Sequence, residues 1–557
     1  MGVDLDYLKK NWLASRRSGQ KIILVGIFLV SFFLMIFSSA TDSMVVDEKV
    51  HIPAGYLHVW KGDYTFNSEH PPMLNDLAGL FAKFAKPNAP AVPANFTGGD
   101  QWEYGDMFFY LSGNNIDKIL FWARLPFIFL TLGLIYLVFL WAKTLFGPKA
   151  GLVAATLTAF SPNILAHGRL ATTDIGVTLF FLLVCWLLRK YFLKPNLKTV
   201  ALLGLGLGLV LLAKFSGIFV VPVIILGLIF IWFLKRQKFL KSLLESLLIF
   251  AVAGILIWGV YFFSMRTQII TAPDSLQLSK TFHHKVISGT FSKFLIMPYD
   301  KYFQGLEILT DHNTSGHWSY LDGEVGYSGW WYYFPLVMLY KMPLTEIILL
   351  VLSIGFVIKR LLPPPWRGRN DIKTFDYLLL FFPPLLFLVV SMIGRIDIGI
   401  RHILPILPFI YIFISSLVLR KNKIIQKLIF GLVGLQIIIG ILAFPNYITY
   451  FNQFAGGAKG GIKHLSDSNL DWNQNMKRFG AYAKENNIKK VYALCWDNYS
   501  FVYQGVDVET LPNEFAKGVV VICAQQMLVP PDGFDFDWVT KHPPSAVVGN
   551  AMYLWRF

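Results

Sequence analysis

Apolar residues in this chain gather in long continuous runs, separated by polar segments of very unequal length. The first run covers residues 22–39. Others lie at 119–141, 150–162, 174–188, 199–213, 216–234, 246–264, 336–358, 375–393, 403–419 and 428–444. Each is long enough, or nearly so, to carry a helix across a hydrocarbon core about 30 Å thick. The pattern predicts eleven transmembrane helices. Three polar segments are long, at about 40–118, 265–335 and 446–557, and the rest are short. In the last of them the spacing changes. Residues 475–486 repeat at helical intervals, while 490–496 and 518–524 read as buried strands. The expected fold is an α-helical polytopic membrane protein over 1–445, followed by a small soluble α/β domain over 446–557.

Composition agrees. The chain has 557 residues, 55% of them hydrophobic and 15% charged, against about 25% charged in soluble proteins. The net charge of +16 is not gathered on one segment, as a nucleic-acid surface requires. It lies in clusters between the apolar runs. With the N-terminus in the cytoplasm, the N-terminal segment and the short inner loops hold 24 of the 50 Lys and Arg and only five of the 34 acids. Basic loops mark the cytoplasmic side, so the C-terminus and the three long segments are expected outside it. Ser38-Ser39-Ala40 resembles a cleavage site, but a retained anchor suits a chain whose remainder is also embedded. Cys185 lies in an apolar run. Cys495 and Cys523 either pair or stand unpaired on neighbouring strands, and the unpaired arrangement is the simpler expectation.

A charge at the bilayer centre costs about 2.5–3.5 kcal/mol on insertion scales. Arg124, Asp174, Lys214, Arg266, Lys341, Arg395 and Arg401 all map to the outer ends of their runs. Lys341 and Glu346 lie deepest, and Lys341 is expected to snorkel outward. A coupled transporter places polar groups near the midplane, whereas this pattern builds a site at the outer interface. The first long segment opens with Asp47-Glu48-Lys49. It continues with Glu69-His70-Pro71-Pro72 before an amphipathic stretch, 73–84, expected on the membrane surface. An acid pair near a histidine offers a general base and a cation. Each residue also has a plainer reading. The pair suits a solvated loop, Asp174 a helix N-cap, and Lys214 an interfacial anchor, though a lysine at an outer turn runs against the charge pattern.

Other signals are weaker. Asp535-Phe536-Asp537 has the form of a nucleotide-sugar metal site but lies where nucleotide-sugars are not expected. Asp467-Ser468-Asn469-Leu470-Asp471 begins like a calcium loop but has Arg478 where glutamate is needed. Its expected role is a turn that docks the soluble domain. Gly204, Gly206 and Gly208 suit close helix packing. Asn95, Asn313 and Asn498 are glycosylation sequons in outer segments.

Taken together, the Asp-Glu pair after the first span, His70-Pro71-Pro72 in the first outer loop and Asp174 opening the fourth span resemble the protein O-mannosyltransferase family. They also resemble the lipid A aminoarabinose transferases, whose loop motif is Glu-Lys-Pro. Both are membrane glycosyltransferases of the C-type fold. Gly329 to Pro335, Gly399 to Pro405, and Asp467 to Trp472 look like stretches of bacterial members. The resemblance implies a sugar donor on a polyprenyl monophosphate, a protein or glycolipid acceptor hydroxyl, and a plasma (inner) membrane location. In that chemistry Asp47 would be the base, with Glu48 shaping the site. His70, Lys214, Arg395 and Arg401 would stabilise the leaving phosphate, and Glu69, Asp174 and His317 would hold sugar or acceptor. No cofactor is required, and a divalent metal on Asp47 and Glu48 is compatible but not predicted. The alternatives are a transporter or flippase of lipid-linked sugars, or a non-catalytic envelope-assembly protein.

Overall fold

A computed structural model describes residues 5–235, 238–361 and 371–557. Asp4, Arg236, Arg367 and Arg369, part of the expected inner charge pattern, lie outside the described residues. Among the described residues, eight helices are long and apolar enough to cross a membrane. They are Gly19–Thr41, Ile116–Phe146, Asp174–Leu193, Phe215–Leu234, Phe239–Ser264, Ile372–Ile393, Ile400–Leu419 and Lys423–Leu442. The expected run 336–358 is instead two helices, Tyr333–Lys341 and Leu344–Phe356, bent by 115°. Pro343 stands between them, and proline lacks the N–H and the space to continue a helix. Counted as one span, the bent pair makes nine. The runs at 150–162 and 199–213 are helical but short: Pro148–Ala159 has 12 residues and Leu197–Ala213 has 17. By length, then, the described residues hold eight or nine spans where the apolar runs suggest eleven.

The bend also overturns the expectation for Lys341. Its ammonium does not snorkel. It is buried and donates to the carbonyls of Ile448 and Asn469, each at 2.7 Å, beneath the ring of Phe451. Because the turn aims the side chain at the 446–470 segment, those carbonyls take the place of water. Across the bend, Glu346 accepts from Tyr411 Oη at 3.0 Å and from Gln436 Nε2 at 2.9 Å.

The first long segment is a packed structure. Helices Glu48–Lys61 and Pro72–Ala82 cross at Gly55 and Gly79. A Cβ on Gly55 would meet the Asn75 carbonyl oxygen at 1.7 Å, and one on Gly79 would meet the Gly55 carbonyl carbon at 2.1 Å. Only glycine allows that approach. The amphipathic stretch 73–84 turns Leu74, Ala78 and Ala82 to the protein, and leaves Leu80 and Phe84 exposed.

At the C-terminal end a five-stranded sheet runs in the order Asp507–Thr510, Lys490–Leu494, Val519–Cys523, Met552–Arg556, Ala546–Val548. The first three strands are parallel and the last two antiparallel to their neighbours. Helix Met476–Glu485 buries Met476, Phe479, Gly480 and Ala483 on one face, the helical spacing expected over 475–486. Cys495 and Cys523 form a disulfide, against the simpler expectation. The register explains it. Leu494 pairs with Ile522 on parallel strands, so the next residue of each strand meets the other.

Candidate active site

Asp47 and Glu48 begin one helix, and consecutive helical residues point about 100° apart. They therefore have different partners. Glu48 faces the core. It accepts from Arg124 Nε at 2.8 Å and Nη2 at 2.6 Å, and from the amides of Val45 and Ala171 at 3.1 and 2.9 Å. Arg124 also donates to the Ser39 and Ser43 carbonyls. Glu48 thus pins the first segment to two other parts of the bundle. It does not face the site, as its grouping with Asp47 implied, and the two carboxylates form no joint metal cradle. Replacing Glu48 by glutamine leaves a buried guanidinium without its counter-charge. Such a loss costs about 3–5 kcal/mol. The expected result is a clear drop in unfolding temperature in detergent; an unchanged midpoint contradicts this role.

Asp47 faces the other way. Its Oδ2 accepts from Arg401 Nη1 at 2.5 Å. Arg401 lies 4.0 Å from Asp174 Oδ2, and Asp174 Oδ1 accepts from Lys214 Nζ at 2.7 Å. The result is an alternating chain of charges, Asp47, Arg401, Asp174 and Lys214, drawn from four separate elements. Asp174 opens helix Asp174–Leu193, where the helix dipole favours an acid, but its carboxylate serves Lys214 and Thr172 and makes no cap. Lys214 sits at the break between Leu197–Ala213 and the 3₁₀ turn Phe215–Phe219. Arg401 lies in the 3₁₀ turn Ile400–Ile406 with its guanidinium 4.1 Å from the Trp472 ring, and its Nε is buried without a partner.

Two histidines complete the cluster. His51, one helical turn after Asp47, has its ring 5.0 Å from that of His70. Burial lowers the pKa of both, and that of His70 falls well below the usual histidine range, helped by His51 and Lys214. His70 is therefore a neutral hydrogen-bonding group, not the cation expected from the sequence. Burial pushes the Asp47 carboxyl up, but Arg401, His51 and His70 outweigh it and hold it below the usual carboxylate range. Asp47 is a carboxylate at neutral pH.

The other expected residues are more scattered. His317 is half-buried, close enough for the charges of Arg401 and Asp47 to act on it, and burial lowers it to about 4. Glu69 accepts from Asn67 Nδ2 and Gln101 Nε2 on the wall of a cavity of about 1100 Å³, and its charge reaches His51. Arg395 is exposed and donates to the Thr314 carbonyl. Asp535 accepts from the Asp537 amide in a local turn.

Sequence reasoning missed His51 and Trp472 as site members. His51 was accessible through its i, i+4 relation to Asp47. Trp472 lies in a stretch read only as a docking turn. That stretch does dock: the Asp467 amide donates to Gln525 Oε1, the Asp471 carboxylate accepts from the Gln525 and Asn473 amides, and Ser468 Oγ donates to the Ile398 carbonyl. In docking, it also brings Trp472 under Arg401. Burial raises Asp471 to about 7 and Asp467 to about 6. Folded, each keeps its proton above the unfolded value of about 3.9, so stability falls as pH rises between those values. The melting temperature is expected to be higher at pH 5 than at pH 8, with the difference reduced in Asp471→Asn. An equal slope in the variant contradicts this assignment.

A model of the dolichyl-phosphate-mannose-protein mannosyltransferase family matches residues 106–259, which include Arg124, Asp174 and Lys214. No curated protein sequence matches the chain. Among solved structures, ArnT from Cupriavidus metallidurans bound to undecaprenyl phosphate aligns at a TM-score of 0.46 and 12% identity, over 96% of this chain and 98% of that one. The archaeal oligosaccharyltransferase AglB from Archaeoglobus fulgidus, in complex with an inhibitory peptide and a dolichol-phosphate, aligns at 0.46 and 12%, over 92% and 70%. The S. cerevisiae protein O-mannosyltransferase Pmt1-Pmt2 complex bound to the sugar donor aligns at 0.33 and 18%, over 44% and 34%. The likeness to the dolichyl-phosphate-mannose-protein mannosyltransferase family thus covers residues 106–259 of this chain.

Proposed function

We propose that this protein transfers a sugar from a polyprenyl monophosphate to a hydroxyl of a protein or glycolipid acceptor on the outer face of the membrane. The observation that carries this reading is the Arg401 bridge between Asp47 and Asp174. The reaction needs a base for the hydroxyl proton and cations for the departing phosphate. In the resting site these groups neutralise one another. When a phosphate draws Arg401 and Lys214, the Asp47 carboxylate loses its counter-charge, and its buried setting then favours uptake of a proton. The acceptor oxygen attacks the anomeric carbon and its proton passes to Asp47. The bond from that carbon to the phosphate oxygen breaks with its electron pair, and Arg401 and Lys214 take up the charge. Asp174 holds the two cations, and His51, His70 and His317 offer hydrogen bonds to the sugar.

An apolar cavity of about 480 Å³ between Leu74, Leu77, Leu130, Phe180 and Val260 suits a prenyl chain. The disulfide supports an oxidising, extracytoplasmic location for residues 446–557. The basic short loops support a cytoplasmic N-terminus in a plasma membrane. Counting the bent pair and the two short helices as crossings gives eleven over 1–445, with the bilayer locally thinned around the short ones.

Membrane vesicles of both orientations test the sidedness. Right-side-out vesicles should consume a short-chain polyprenyl-phosphate sugar added outside, and sealed inside-out vesicles should not. Consumption only by inside-out vesicles overturns this reading.

A further inference from the structure

Behind the irregular segment that leads to Asp47 lies a second cleft, separate from the charge chain. Val45 and Val46 form its floor, and its walls come from two distant parts of the sequence. Trp102 and Lys49 belong to the first long segment; Asn473, Trp496 and Asp497 belong to the C-terminal segment. Its volume is about 260 Å³, just under the range of about 300–1,000 Å³ for small-molecule sites. It has room for one ring-sized group and not for a lipid chain.

Two features of the lining point to a ligand. Trp102 and Trp496 are 42% and 37% exposed. Large aromatic faces left open in a small concave cleft are the usual apolar half of a ligand site. Asn473 is 5% exposed, and its amide is oriented by Nδ2 donating to the Met44 carbonyl at 3.1 Å. That leaves Asn473 Oδ1 buried without a partner. Natural structures rarely leave such an acceptor unpaired, and a bound donor would satisfy it. Asp497, by contrast, is fully engaged. It accepts from Tyr110 Oη at 2.8 Å, Ser500 Oγ at 2.9 Å and the Tyr499 amide at 3.0 Å. It is a rigid wall, and it fixes the loop that presents Trp496.

Aromatic faces beside an unpaired amide oxygen are the complement of a pyranose. The negative face of an indole attracts the polarised C–H bonds of a sugar face, while a ring hydroxyl donates to the amide oxygen. We propose that this cleft is a sugar-binding subsite, which takes one uncharged pyranose ring against Trp102 and Trp496 with a hydroxyl on Asn473 Oδ1. Its lining reaches Val46, the residue before Asp47, while the Asp47 side chain stays outside it. Its use in transfer rests on the function proposed above; its affinity for a sugar does not.

The test uses the full chain in detergent, with methyl α-mannoside, methyl β-glucoside and methyl β-galactoside as probes, read by ligand-observed NMR and calorimetry. At least one glycoside should bind saturably. Trp102→Ala and Trp496→Ala should each weaken it tenfold or more. Trp102→Phe, which keeps a ring, should retain most of it. Asp47→Asn, outside the cleft, should bind as the wild type does. No saturable binding of any probe overturns the proposal, as do alanine variants that bind unchanged. Loss of binding in Asp47→Asn alone places the sugar in the charge cluster and also overturns it. A bound glycoside that competes with acceptor assigns the ring to the acceptor; competition with donor assigns it to the transferred sugar. Binding by a protein that never transfers sugar supports the subsite while removing the transferase reading.

Discussion

Replacing Asp47 by asparagine is expected to slow sugar transfer by a factor of about 10²–10⁴, the range for loss of a general base. Donor binding should persist. The amide has the size of the carboxylate, and its oxygen can still accept from Arg401 Nη1, which the native side chain meets at 2.5 Å. What it cannot do is take the acceptor proton. Donor consumption under single-turnover conditions, beside equilibrium binding of the same donor, separates the two effects. A variant that turns over at the wild-type rate removes Asp47 from the chemistry. One that no longer binds donor makes it a binding residue instead.

The second large effect is expected at Arg401. Its guanidinium joins Asp47 to Asp174 and rests against Trp472, so it combines the charge a leaving phosphate needs with a fixed position. Arg401→Gln should lower kcat by about 10²–10³, as the loss of one preorganised electrostatic contact does. KM for the donor should rise as well, because the phosphate is bound before it leaves. Arg401→Lys should recover part of the charge without the planar fork or the stacked contact. A pH signature accompanies the change. Burial raises the Asp47 carboxyl and Arg401 is the main group opposing it. Transfer needs the carboxylate, so activity is lost as pH falls through that pKa. Without the guanidinium the acid limb should move to higher pH. A limb that stays in place contradicts the pairing.

Much of this cluster could be read from the chain, and what could not has identifiable causes. Asp174, Lys214 and Arg401 stood out because a charge at the end of an apolar run has few places to go. Their pairing was invisible, since Lys214 and Arg401 lie 187 residues apart and meet only through the bundle. Glu48 was grouped with Asp47 because the segment was read as a loop. Helix Glu48–Lys61 is buried on nearly all sides and carries Pro53 inside it, so it shows neither amphipathic spacing nor an uninterrupted helical run. His70 was read as a cation because burial cannot be seen in a short polar motif. The break at Pro343 was legible, and the apolar run around it masked the signal. The C-terminal strands and helix were well located because their spacing is that of an ordinary half-buried sheet, while the disulfide depended on a register that only the fold supplies.

The most direct measurement is the transfer itself. Purified protein in detergent would receive a radiolabelled polyprenyl-phosphate sugar and a membrane extract as the acceptor pool. The expected result is label leaving the prenyl-linked fraction, an equal amount of free polyprenyl phosphate appearing, and the label recovered on protein or glycolipid. Donor that binds saturably but is never consumed, with any acceptor fraction, would contradict a transferase and turn attention to movement of the intact lipid-linked sugar across liposome membranes.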